Sequence, residues 1–411
     1  MKRFSALLIC CILILLTGCG PLSLLKPTNS SAPSKLMTEA ESCSRLDVYP
    51  ETDKYLSLGK FDRPGYLNLT NRQKSVYILL DNAAYRQETG YIELGECSQY
   101  DVELVYHALK NDRPEYFWLP YSYTVRTVGE YQQIQLAKTD KDWSHSKGDR
   151  NRVETEINNL LTEFINGLPS ELSAFDRELY AHDWLAERIT YDDVAITNPD
   201  GNPEAWTVEG ALIDRKAVCE GYSKAMQILL YMMGINCTNV TGVGEEPHMW
   251  NLVEIDGDWY HLDLTSNDGD SGIYHFYFNV TTDCILRSYS LDPLPDQDLK
   301  YLPERFNLTL PVCSSTAENY HVKNSLYIAS HDSIGPTVVS QICDAVRNGR
   351  RSVEFATAPE MGFVFGRDDA LKTFDLGDHI SAANAELSKD DKIFTYSYGG
   401  INGAMGFMIS W

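Results

Sequence analysis

A thiol, an imidazole and a carboxylate occur in this chain in an order and a setting that could do acyl-transfer chemistry. They are Cys219 in Lys216-Ala217-Val218-Cys219-Glu220-Gly221-Tyr222-Ser223, His248 in Pro247-His248-Met249-Trp250-Asn251, and Asp263 in Trp259-Tyr260-His261-Leu262-Asp263-Leu264-Thr265. A histidine beside a cysteine can take the thiol proton. A carboxylate on the other ring nitrogen fixes the tautomer and steadies the imidazolium that forms. None of the three means much alone, since a cysteine opening an apolar helix is usually a packing residue.

The elements that must position them can be read from periodicity. Ala225, Ile228, Leu229 and Met232 recur at helical spacing after Cys219, and Gly234 stops the pattern. Cys219 thus opens a helix, where the macrodipole and the free N–H groups favour thiolate over thiol. The next segments flank Asp256-Gly257, a hairpin signal. A two-residue turn pairs Ile255 with Asp258, Trp250 with Asp263 and His248 with Thr265. His248 and Asp263 are then diagonal neighbours on one face, within reach of a side-chain hydrogen bond. The other face, with Met249, Val253, Ile255, Tyr260, Leu262 and Leu264, reads as the buried side and leaves the polar pair to meet the helix. His261 shares the face of His248 and competes for the role of base, but its place at the sheet centre favours a structural one. Asn251 falls on the opposite face and suits backbone bonding; Trp250 is expected to wall the cleft.

Together these segments closely resemble the transglutaminase-like superfamily, whose core is papain-like. The resemblance spans about 207–268 through its motifs, and implies that Cys219 is the nucleophile, His248 its base and Asp263 the orienting group. It also implies an oxyanion hole. The Cys219 backbone N–H is a natural donor. For the second donor, papain-like proteases place a glutamine six residues before the cysteine, where this chain has Ile213. Some relatives use an upstream tryptophan, which makes Trp206 the candidate.

The chain has 411 residues and a formal net charge of −23. Such a surface repels phosphate backbones and anionic headgroups, so nucleic acid is not an expected partner. Residues 1–18 read as a leader: Lys2 and Arg3, an apolar run from Ala6 to Leu16, then Leu16-Thr17-Gly18-Cys19, which resembles the bacterial lipoprotein cleavage box. The run is short for a membrane span. Cys19 is the expected lipidation site, and the folded part is expected outside the cytoplasm, held to the membrane by that lipid. Residues 19–45, with Pro21, Pro27, Pro33 and Asn29-Ser30-Ser31, read as a flexible tether.

An N-terminal α+β unit is expected over 46–145, the catalytic domain over 146–300 and a C-terminal α/β unit over 301–411. In the first, helices are expected at 71–86 and 101–109, with strands at 115–125 and 130–137. Phe117, Trp118, Tyr121 and Tyr123 read as packing rather than as a ligand-facing stripe. In the second, amphipathic helices cover 149–166 and 171–189, and a turn-rich loop at 193–206 borders the cleft. Ile273 to Val280 reads as an aromatic strand. In the third, strands are expected at 319–329, 352–357, 392–398 and 404–410, and helices at 334–348 and around 378–387. The glycines Gly399, Gly400 and Gly403 lack a strand–loop–helix context and are not a phosphate cradle.

Setting Cys219 aside, the cysteines after Cys19 are Cys43, Cys97, Cys237, Cys284, Cys313 and Cys343, widely scattered. Their even number is weak support for disulfides. A zinc site from Cys219, His248, Asp263 and Cys237 lacks a close-spaced ligand pair, so no metal or other cofactor is expected. The fold class is α+β, with a papain-like transglutaminase core between smaller units. The expected activity is attack of Cys219 on a peptide or glutamine amide, as a protease or amidase more than a cross-linking transferase. The alternative is a surface binding module that kept the fold and lost turnover.

Overall fold

Side-chain caps set where the first helices begin. In the computed structural model, which describes residues 63–269, 272–296, 302–358, 361, 375–399 and 406–411, Thr70 and Ser98 form reciprocal capping boxes with Gln73 and Asp101. These open α1 (Asn71–Arg86) and α2 (Gln99–Asp112). β1 (Ile92–Gly95) lies between them, and β2 (Thr124–Val128) and β3 (Tyr131–Gln135) follow in an antiparallel sheet of order β1-β3-β2. The leader at 1–18, Cys19, the tether at 19–45 and Cys43 lie outside the described residues. Among the described residues no helix is long and apolar enough to cross a membrane.

The stretch before β2 is not the strand its aromatics suggested. Tyr116 N–H bonds the Arg113 carbonyl and Leu119 N–H the Tyr116 carbonyl, so the chain turns there. Phe117 and Trp118 are buried, and the Trp118 indole donates to the Ala84 carbonyl at 3.0 Å. A buried charge is tolerated beside them because it is paired: Arg113 meets Asp81 at 2.8 Å, and Tyr116 donates to the same carboxylate at 2.7 Å.

α3 (Lys147–Gly167) and α4 (Ala174–Ala186) carry the serine caps Ser146 and Ser173. β4 (Thr190–Tyr191) and β5 (Lys216–Ala217) pair in parallel, which seats Tyr191 beside Ala217. The segment between is more ordered than a loop. Asp192 caps α5 (Asp193–Thr197) by accepting from the N–H of Val194 and Ala195, and Asn202 donates to it at 2.7 Å. Helical turns at Pro199–Gly201 and Pro203–Trp206 complete it.

α6 (Cys219–Met232) is buried along nearly all its length, its polar Glu220, Ser223, Lys224 and Gln227 included. Around it pack β6 (Cys237–Val243), β7 (Pro247–Ile255) and β8 (Asp258–Leu262), then α7 (Leu264–Asn267) and β9 (Ser290–Leu291). The sheet order is β9-β6-β7-β8, all antiparallel. Asp256 at φ 53° and Gly257 at φ 92° make the two-residue turn, and Ile255 faces Asp258 as its parity requires.

Both faces of this hairpin are buried, against the expectation of one. The face of Val253, Ile255, Tyr260 and Leu262 shares a core with α6, and Asn251 on that face donates to the Ser223 carbonyl at 3.0 Å. The face of Trp250 and Leu252 packs on Phe276, Tyr277, Val280 and Ile285. The second face is covered because 274–280 folds back over it by turns, with a bridge from His261 to Val280, and not as a continuous strand.

In the C-terminal part, β10 (Tyr327–Ile328), β11 (Ser352–Thr357), β12 (Ser397–Gly399) and β13 (Gly406–Ser410) form a sheet of order β10-β11-β13-β12. α8 (His331–Arg347) and α9 (Leu376–Glu386) pack with it through Ile334, Val338, Ile342, Ile380 and Ala383. A helical turn at Tyr320–Lys323 replaces the first part of the strand expected at 319–329. Gly400 and Gly403 lie outside the described residues.

Candidate active site

Cys219 is the first residue of α6, preceded by Val218 in an extended conformation, so its own N–H belongs to the free first turn of the helix. His248 sits near the start of β7, close enough to Cys219 to interact with it electrostatically. Its Nε2 meets Asp263 Oδ2 at 2.9 Å, which leaves Nδ1 as the nitrogen for the thiol. Asp263 lies one residue past β8 as the cap of α7 and accepts from the Ser266 N–H at 3.1 Å. His248 and Asp263 are therefore one hydrogen-bonded pair, with Cys219 near enough to act on the imidazole by charge. His248 reaches the thiol at the end of the sheet, since α6 covers the opposite face of the hairpin.

Electrostatics follow from this contact. Burial works against a charged His248, yet Asp263 and Cys219 hold its pKa up at about 10. Burial likewise opposes the Asp263 carboxylate, and His248 and Tyr289 hold it below its ordinary value. The favoured state is an imidazolium between two acceptors.

Tyr289 is a site residue that the sequence did not reveal. Its hydroxyl donates to Asp263 Oδ2 at 2.7 Å, and its ring stacks on His248 at 5.2 Å and on Trp250 at 5.0 Å. It arrives from the segment before β9, outside every motif. Tyr289→Phe keeps the stacking and removes one bond to a charged group, worth roughly 1.5–3 kcal/mol. The expected outcome is a several-fold slower alkylation of Cys219 together with a melting temperature lower by several degrees, read by timed labelling and calorimetry.

Trp250 lies behind the histidine and not on the cleft. It is 1 % exposed, and its indole donates to His261 Nδ1 at 3.0 Å. His261 is engaged on its other side with Thr282 at 3.1 Å, and burial pushes its pKa down to about 4. His261 is a packing residue, as its place in the sheet implied.

Trp206 differs. Its Nε1 is buried and has no hydrogen-bond partner among the described residues. It packs with Ala195, Ala205 and Val218, next to Cys219. The turn that carries it is pressed onto α6: Val218 N–H bonds the Ala205 carbonyl at 3.0 Å, and a Cβ on Gly221 would come within 2.5 Å of that oxygen. Gly221 in the motif thus serves this close approach. Glu220, Lys224, Asn239 and Met249 help line a small recess of about 40 Å³, which Cys219, His248 and Asp263 do not line. A larger cavity of about 540 Å³ lies at α3 and α4, and none of Cys219, His248 or Asp263 lines it.

The side chains that could ligate a metal are otherwise engaged. The six described cysteines are free thiols, and Cys237 stands at the far end of β6 from the strand pair of His248. Among the described residues the one close group of ligand-type side chains is His182, Asp183 and His275. Its hydrogen-bond directions oppose a cation. Asn267 accepts from the Tyr277 N–H at 3.0 Å, so its amide N–H faces His182 Nε2 at 3.1 Å. The His182 proton then lies on Nδ1 and points at Asp183, 2.8 Å away, leaving no lone pair there for a metal. His275 donates to Asp183 at 3.0 Å and to Glu354 at 2.7 Å. Burial opposes its charge, but the two carboxylates hold its pKa at about 9. The cluster ties β11 to α4 by charge.

Residues 159–264 match the transglutaminase-like superfamily. The kyphoscoliosis peptidase of Mus musculus is 25 % identical over 130 residues, covering 28 % of this chain and 19 % of that protein. The kyphoscoliosis peptidase of Homo sapiens is 27 % identical over 99 residues, covering 21 % of this chain and 15 % of that protein. The chain thus spans less than a fifth of the length of these relatives. A crystal structure of a TGase aligns with a TM-score of 0.26 and 18 % identity, over 38 % of this chain and 47 % of that one, a likeness too slight to bear on mechanism. Within its mixed helix-and-sheet fold, the chain carries a transglutaminase-like domain over residues 159–264.

Proposed function

We propose that this protein is a thiol acyl-transfer enzyme in which Cys219, His248 and Asp263 act as nucleophile, base and orienting group on a peptide or glutamine amide. The observation that carries the reading is His248 hydrogen-bonded to Asp263 at 2.9 Å while lying close enough to Cys219, the first residue of a buried helix, to feel its charge. With the proton of the Cys219–His248 pair held on His248 Nδ1, the thiolate sulfur adds to the carbonyl carbon. The tetrahedral oxyanion is met by the Cys219 N–H and by the unpartnered Trp206 indole. As the C–N bond breaks, the imidazolium gives its proton to the leaving amine and a thioester remains. Water then adds, His248 takes its proton, and the acid departs as the thiol re-forms. Hydrolysis is preferred to cross-linking because water is the smaller acceptor for a half-closed site, and the two relatives bear the name of peptidases. The substrate is a protein or peptide at the cell surface, and Cys19 holds the enzyme there through lipid. Mass spectrometry of the membrane-extracted protein is expected to show a lipidated Cys19 at the mature N-terminus; an unmodified start elsewhere contradicts the anchor.

Cys219→Ala exposed to surface protein tests the activity. Wild type is expected to cleave a set of proteins that the variant retains uncut. Retention of the same set by both proteins, with no cleavage, favours the silent binding module.

The pH dependence follows from His248. Its folded pKa of about 10 lies above the ordinary 6.5, so its contribution to stability is complete below about 6.5 and is lost as pH rises through about 10. The gap in unfolding free energy between wild type and His248→Ala is expected to shrink across that window in denaturant titrations. Turnover, which needs the imidazolium as acid, is expected to fall over the upper part of the same range.

A further inference from the structure

The motif-bearing domain does not hold its own oxyanion donor in place. Trp206 rides on a short helical turn, and its backbone carbonyl is gripped from two directions: Lys224 Nζ donates to it at 3.2 Å and the Tyr121 hydroxyl at 3.2 Å. Lys224 comes from the second turn of α6. Tyr121 comes from the segment between α2 and β2, well outside residues 159–264. Glu220, the neighbour of Cys219, organises both donors. Its Oε1 meets Lys224 at 2.7 Å, Lys110 of α2 at 2.9 Å and the Tyr121 hydroxyl at 3.4 Å.

The cluster is built rather than incidental. Burial would push the Glu220 carboxyl up, but Lys110 and Lys224 hold it at about 2. Glu220 and Lys224 are each 7 % exposed, while Tyr121 keeps about half its surface open. Lys110 lies 4.2 Å from the centre of the Tyr121 ring, a cation–π contact that helps fix the ring. Tyr121 also lies near enough to Cys219 to interact with it electrostatically. A buried Lys–Glu–Lys group is costly to assemble in a core. Here its geometry ends on a single acceptor, the carbonyl of the residue whose indole N–H is unpartnered.

We infer that Tyr121 and Lys110 of the N-terminal unit, acting with Glu220 and Lys224, are positioning residues that set the Trp206 indole for the oxyanion, so that this unit completes the active site. The inference rests on the acyl-transfer reading and deepens it. None of the four need touch the reacting atoms. Their effect passes through the backbone of Trp206, where an error of about 1 Å is enough to cost a large factor in rate.

The test is a double-mutant cycle on the full chain, with p-nitrophenyl acetate as acyl donor and iodoacetamide as a probe of the thiol alone. Tyr121→Phe keeps the ring and removes the one hydroxyl proton shared between the Trp206 carbonyl and Glu220. The expected result is a roughly tenfold lower acylation kcat with KM within about twofold, because the ground state is bound as before. Alkylation of Cys219, which forms no oxyanion, is expected at the wild-type rate. Trp206→Phe is expected to lower kcat by about a hundredfold, and Tyr121→Phe is expected to add nothing in that background. Lys224→Met checks the second grip by the same cycle, with melting curves to confirm folding. Full multiplication of the Tyr121 and Trp206 effects overturns the inference, as does an equal loss of alkylation in Tyr121→Phe or a Tyr121→Phe kcat equal to wild type. Each of these leaves the acyl-transfer reading intact. A wild-type protein that never acylates overturns both.

Discussion

Replacing His248 with alanine is expected to lower kcat/KM for amide turnover by about 10⁴-fold or more, the scale on which base and nucleophile act as a unit. The substitution removes the ring beside Cys219 and leaves Asp263 buried against Tyr289 and Ser266 alone. The lost factor should fall on kcat, because the ring is needed to take and return a proton and not to bind the chain. Cys219→Ala on its own, and the two changes together, are expected to cost no more than His248→Ala within a few fold. Steady-state kinetics on a fluorogenic peptide amide reads all three. A His248→Ala enzyme within about tenfold of wild type removes the base from its role.

Asp263→Asn is expected to cost about as much by another route, near 10⁴-fold in kcat. Asp263 Oδ1 accepts the Ser266 N–H, which keeps the remaining oxygen of an asparagine on that side. The new amide N–H₂ then stands where Oδ2 met His248 Nε2 at 2.9 Å. Facing a donor, Nε2 must accept, so the ring proton moves to Nδ1 and points at the sulfur. The base is in place with the wrong tautomer. The Tyr289 hydroxyl can rotate to accept from the new amide, so the fold is expected to survive with its melting temperature little changed. Proton NMR of the imidazole distinguishes the two tautomers directly.

The parts of the site legible in the sequence were those set by local rules. Asp256-Gly257 demands positive φ at both positions, and the observed register of Ile255 with Asp258 follows from it. The run after Cys219 has the period of one helix, and Cys219 opens it. What escaped was set by distant contact. Tyr289 reaches Asp263 across 26 residues and Tyr121 reaches Glu220 across 99, and neither sits in a pattern that periodicity can reveal. Trp250 was expected on the cleft because alternation places it beside His248. Alternation does not say that 274–280 folds over that face and closes it. The aromatic run after Arg113-Pro114 misled in the same way: Phe117 and Trp118 favour strands by type, but their burial against α1 decides for turns.

The central claim is that His248 activates Cys219. It is tested most directly by timed labelling of the folded full chain with iodoacetamide at pH 6, followed by peptide mapping of every cysteine. Cys284 is the internal reference, being the most open of the described thiols besides the site. Cys219 is expected to label at least about tenfold faster than Cys284 in the wild type, although it is the more buried of the two. In His248→Ala that advantage is expected to vanish while Cys284 is unchanged. Labelling of Cys219 no faster than Cys284, or a fast rate that survives His248→Ala, contradicts the account.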